Sequence, residues 1–104
     1  MILTNIDSIP GKRILEHYGL VAGSTVRAKN AFVDLGASLK NIVGGELRSY
    51  TQLLEESRAQ AVSRMIQQGE QLGANAILNV RFSTSNIAQG ASELYVYGTA
   101  VKVE

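Results

Sequence analysis

SYTQLLEESRAQAVSRMIQQGEQLGANAILNVRF, residues 49–82, contains the change of period that decides the fold. Up to Leu72 the apolar side chains recur at helical spacing. Tyr50, Leu53, Leu54, Ala61, Val62, Met65, Ile66 and Leu72 form one stripe, which predicts a long amphipathic helix. Ser49 with Gln52 three residues on reads as a capping box, and Gly73 supplies the left-handed residue that ends the helix. Beyond Gly73 the period becomes two. Ala76, Leu78, Val80 and Phe82 point to one side and Ile77, Asn79 and Arg81 to the other, the pattern of a half-buried strand.

Towards the C-terminus, SELYVYGTAVKVE reads as a further strand in which Leu94, Val96 and Ala100 oppose Tyr95, Tyr97, Val101 and Val103. The polar stretch STSNIAQGA between the two strands contains Gly90, so the pair is expected to form an antiparallel hairpin with that stretch as its loop.

On the N-terminal side, MILTNI reads as a strand and Pro10-Gly11 as a turn. RILEHYGLVAG follows as a second strand, with Ile14, Glu16, Tyr18, Leu20 and Ala22 on one face and Arg13, Leu15, His17, Gly19 and Val21 on the other. STVRAK continues it. Asn30 is placed to cap a shorter helix, AFVDLGASLKNIV, with Phe32, Leu35, Leu39, Ile42 and Val43 on its stripe. Gly44 then caps that helix, and Gly45 makes the corner into the long one.

The expected fold is therefore α+β: a small single domain over residues 1–104, with an antiparallel or mixed sheet and one short and one long amphipathic helix. Several strands carry apolar residues on both faces. Two helices cannot cover both sides of such a sheet, so the missing cover is expected from further copies of the chain.

Composition narrows the chemistry. The chain has ten basic and nine acidic side chains, dispersed, for a net charge of +1. That balance lacks the clustered basic surface a phosphate backbone requires, so no nucleic-acid partner is expected. With no cysteine, disulfides, thiolate metal sites and cysteine nucleophiles are all excluded. No apolar run approaches a membrane span, and the N-terminus lacks a basic start followed by a long apolar stretch. A cytoplasmic protein without a membrane partner is the expectation.

Searches for specific sites return little. Gly44-Gly45 is followed by Glu46 rather than by Lys and Ser/Thr, so it is not a Walker phosphate loop. No GxSxG, dinucleotide fingerprint or paired general acid and base is present, and an enzyme is the least favoured reading. His17 is the only histidine, and no HxH, HxxE or HExxH spacing accompanies it. Asp7, on a paired first strand, is the acid most able to reach it. Metal candidates are His17, Asp34 and Glu46, a set that would need replication by symmetry to surround an ion. Tyr18, Tyr50, Tyr95 and Tyr97 read as packing or contact residues.

Four motifs in register, GLVAG (19–23), NIVGGELRSY (41–50), LGANAI (72–77) and YGTAV (97–101), resemble the YbjQ-like family of small bacterial and archaeal proteins. The resemblance covers nearly the whole chain. It implies an α+β subunit that assembles into a ring, typically a pentamer, and a family that is functionally uncharacterised but often labelled a heavy-metal-binding domain. It implies no catalytic residues. By similarity Asn41, Gly44, Gly45, Glu46 and Tyr50 fall in a family motif and are the ligand or interface candidates. No cofactor is evident. A metal ion remains an alternative that the ligand spacing does not support. The leading expectation is an uncharacterised, non-enzymatic cytoplasmic homo-oligomer with any ligand at subunit interfaces or the ring centre. The alternative is a metal-ion or small-molecule binding protein with a symmetry-generated site.

Overall fold

The structure, a computed structural model, describes residues 1–28 and 48–104. The predicted short helix, its Asn30 cap and the Gly44-Gly45 corner lie outside the described residues. The elements are β1 (Ile2–Leu3), β2 (Ile14–Ala28), the long helix α1 (Arg48–Leu72), β3 (Ala76–Ala88) and β4 (Ala91–Val103). The strands form one mixed sheet in the order β1-β3-β4-β2, with β1 parallel to β3 and the other pairs antiparallel.

The helix runs as its stripe predicts, with its first residue at Arg48, so Ser49 stands inside the first turn rather than ahead of it. Its end is a Schellman motif. Ala74 N donates to Gly69 O and Gly73 N to Glu70 O, each at 3.0 Å, while Gly73 takes φ +93°.

The buried face of α1 is narrower than the apolar stripe suggests. Ser57, Ala61, Met65 and Gly69 are buried at four-residue intervals, whereas Leu54 and Leu72 stand 45% and 46% exposed. Three of those four residues are small, and at Ala61 the reason lies in β2. A Cβ placed on Gly23 would collide with Ala61 O and come within 2.6 Å of Met65 N. The helix backbone therefore rests directly on the strand, and a leucine in that seam would hold the two apart.

Two irregularities redistribute side chains between the faces of the sheet. In β3 the register shifts between Leu78 and Arg81, where Asn79 adopts φ +53°, a left-handed conformation that asparagine tolerates. Ile77 and Val80 consequently both join the core under α1, while Ala76 and Leu78 pack on the far face. Strict alternation would have put Val80 and Phe82 with Leu78. Instead Phe82 pairs with Val96 and shares the helix side. In β2 the register shifts between His17 and Gly19, with Gly19 at φ +97°. Tyr18 and Val21, expected on opposite faces, both reach the helix-side core. The split of β4 holds as predicted: Val96 and Ala100 lie under α1, and Val101 and Val103 face away.

Part of the far face is covered from within the chain. Ile9, in the segment linking β1 to β2, packs against Ala76, Leu78, Val101 and Val103. The hairpin between β3 and β4 forms, but STSNIAQGA is not its loop. The strands pair out to Ala88 and Ala91, leaving Gln89 and Gly90 as the turn. The polar run Ser83-Thr84-Ser85-Asn86 allows this, because polar side chains on both faces suit a strand that is solvated on both sides.

Asn75 ties the helix end to the sheet. Its Nδ2 donates to Val103 O at 2.9 Å, and its Oδ1 accepts from Val103 N at 2.8 Å. The side-chain amide thus acts as one more residue of strand beside β4.

Two outcomes are expected. Gly23→Ala lowers stability by about 1–3 kcal/mol, because a methyl group must displace backbone rather than a flexible side chain. Asn75→Ala costs about 1–3 kcal/mol by stranding both partly buried groups of Val103. Urea unfolding followed by circular dichroism at fixed protein concentration measures both.

Candidate functional site

Of the residues singled out from the sequence, Asp34, Asn41, Gly44, Gly45 and Glu46 lie outside the described residues. Tyr50 stands in the first turn of α1, with its side chain outside the described part. His17 is the one candidate whose surroundings are described. It is exposed on β2 and pairs across the sheet with Val101, which assigns it to the face turned away from the helix.

The partner expected for His17 does not stand on a neighbouring strand. β1 ends at Leu3, before Asp7, and lies at the opposite edge of the sheet from β2. Among the described residues no three His, Cys, Asp or Glu side chains cluster closely enough to hold an ion. Soft donors are scarce as well. The chain has no cysteine and two methionines, and one of these, Met65, is fully buried in the core. The donor set of a single subunit, so far as it is described, does not fit a soft-metal centre.

The far face near His17 is largely apolar. Leu20 and Val26 project from β2 with 69% and 52% of their surface exposed. Beside them on β4, Tyr95 and Tyr97 stack with ring centroids 5.4 Å apart, tilted by 31°. Cross-strand register places Leu20 next to Thr99, Ala22 next to Tyr97 and Ser24 next to Tyr95. The surface is thus a band of aromatic, aliphatic and small side chains spanning two strands, with His17 at one end. Tyr18, by contrast, turns to the helix side. A hydrogen bond to the Glu16 carboxylate, then burial and the nearby negative charge, raise its phenol above the ordinary value.

On the other face, beneath the first half of α1, Arg27, Leu54, Ser57, Thr84, Glu93 and Leu94 contribute to a small cleft of about 80 Å³. Arg27 donates from Nε to Ser57 Oγ at 3.0 Å and from a terminal nitrogen to Gln60 Oε1 at 3.4 Å. Thr25 Oγ1 donates to Ser57 O at 3.3 Å. These bonds tie β2 to the first half of α1. Sequence reading passed over Ser57, because a serine within an apolar stripe looks like an interruption rather than a junction, and Arg27 read as a solvated strand end rather than a tie to the helix.

Three of the four motifs that carry the family resemblance lie within the described residues and have architectural roles. In GLVAG, Gly23 admits the helix. In LGANAI, Gly73 ends it and Asn75 anchors it. In YGTAV, a Cβ on Gly98 would lie 2.6 Å from Ile77 Cγ2 and 2.9 Å from Leu78 O, so the glycine makes room for the bulged β3.

A crystal structure of a protein with unknown function from Pediococcus pentosaceus, of the DUF74 family, superposes with a TM-score of 0.64 at 13% identity, covering 100% of this chain and 98% of that one. That likeness is one of fold. The UPF0145 protein of Hahella chejuensis is 61% identical over 104 residues, spanning the full length of both chains. A UPF0145 protein of Acinetobacter baylyi is 65% identical over 96 residues, covering 92% of this chain and 89% of the other. A family model described as "Putative heavy-metal-binding" matches residues 1–104, and with these relatives beside it the chain belongs to the YbjQ/UPF0145 family.

Proposed function

We propose that this chain acts in the cytoplasm as a non-enzymatic homo-oligomer, a ring of five subunits in which any ligand sits at subunit boundaries or in the central opening. The observation that carries this reading is the far face of the sheet. Leu20 and Val26 are exposed beside the stacked Tyr95 and Tyr97, on the side that α1 does not cover. Ile9 shields only the end of that face built from Ala76, Leu78, Val101 and Val103. Apolar surface of this kind, rimmed by polar residues, suits contact with another protein surface. A ring of five needs a heterologous contact, in which this patch on one copy meets a different, complementary surface of the next and the rotation closes. The partner is a second copy of this chain, rather than nucleic acid or membrane.

A second reading has one observation in its favour. The family description names heavy metals, and His17, the chain's only imidazole, stands exposed on the same face that this assembly uses. A metal site would then be generated by symmetry, with His17 joined by Asp34 or Glu46 from neighbouring copies.

Light scattering on the purified protein is expected to give five times the 11.2 kDa subunit mass. Leu20→Glu with Val26→Glu is expected to return it to the subunit mass with its far-ultraviolet dichroism intact, because buried unpaired carboxylates oppose the contact. A folded monomer in the parent chain at micromolar concentration overturns the assembly. For the metal reading, calorimetric titration with zinc, copper and nickel is expected to give heat in the parent that His17→Ala abolishes. No heat at micromolar metal removes it.

A further inference from the structure

Among the described residues β2 is an edge strand, and its sequence is of an unusually vulnerable kind for that position. From Tyr18 to Val26 it reads YGLVAGSTV, with no charge and no proline to discourage a second strand from pairing with it. The lower part of the edge is disrupted by the register shifts between Ile14 and Glu16 and between His17 and Gly19. The middle is regular. There, the backbone groups of alternate residues turn towards β4, and those of Ala22 and Ser24 turn outward.

Both outward residues are engaged by the helix. Gln68 Oε1 accepts from Ala22 N at 2.8 Å, and Arg64 donates from a terminal nitrogen to Ser24 O at 2.5 Å. The spacing explains why one helix can serve both. Arg64 and Gln68 are one turn apart, about 6 Å along the helix. Ala22 and Ser24 are two strand residues apart, about 6.6 Å. The two rows run side by side in opposite directions and stay in step because Gly23, between the two strand residues, lets the helix backbone settle onto the strand.

We propose that Arg64 and Gln68 seal the middle of the β2 edge against strand addition by a second copy of this chain. The helix side chains supply the acceptor and donor that an incoming strand would offer, and they occupy the place it would take. They substitute for the charges and prolines that edge strands ordinarily carry. Subunits then meet through the faces of the sheet, not by continuing it across β2. The seal concerns the single subunit, so it stands or falls separately from the five-membered ring.

The test replaces Gln68→Leu and Arg64→Met, singly and together, with Gln68→Glu as the variant that keeps an acceptor. Amide hydrogen exchange at Ala22 is the direct readout. In the parent this amide is expected to be protected although it faces away from β4, and Gln68→Leu is expected to speed its exchange about tenfold while Gln68→Glu keeps it slow. The double variant is expected to gain concentration-dependent association with thioflavin fluorescence, absent from the parent and from Gln68→Glu. Fast exchange at Ala22 in the parent overturns the proposal even if the variants fail to fold. So does unchanged exchange in Gln68→Leu, or a double variant that keeps the parent's size and stays thioflavin-negative across concentration.

Discussion

Direct contact between the backbone of α1 and that of β2 is the constraint on which the rest of the subunit depends. It requires Gly23 in the strand, because a Cβ there would strike the backbone of Ala61 and Met65 in the helix. Because the two elements lie so close, short polar side chains can bridge them. Thr25 reaches the Ser57 carbonyl, and Arg27 reaches Ser57 and Gln60. Buried polar groups in that junction are satisfied, which keeps it from costing the few kcal/mol that an unpaired group incurs. The same closeness brings Gln68 and Arg64 to the strand edge.

The second organising feature is a sheet whose strands are apolar on both sides. The bulges at Asn79 and Gly19 rotate Val80 and Tyr18 to the helix side and so enlarge the core under α1. The other face is left with two unequal parts, one packed under Ile9 and one presenting Leu20, Val26 and the tyrosine pair. The uncovered part motivates an assembly as the functional unit. The described residues offer a single exposed imidazole and no cluster of three or more acids or other metal-binding side chains.

Much of this architecture was legible beforehand, and the misses share a cause. The long helix, its stop at Gly73, the hairpin and the two-sidedness of β4 all follow from periodicity and capping, which are local. Val80, Phe82 and Tyr18 were assigned to the wrong faces because a bulge adds a residue without leaving a mark in the alternation. Leu54 and Leu72 were placed in the buried stripe although the true seam runs through smaller residues. Among the site candidates, only the surroundings of His17 could be compared with expectation, and the Asp7 expected beside it on a paired strand stands beyond the end of β1.

The sequence by itself determined the α+β class, the family, the stop of the long helix at Gly73, and the absence of any thiolate chemistry, because these rest on composition and on short-range spacing. Only the tertiary structure decided which glycines are contacts rather than turns, which face each strand residue takes beyond a bulge, and that Arg64 and Gln68 reach the edge of β2. Those outcomes depend on distances between segments some forty residues apart along the chain, and no local pattern encodes such distances.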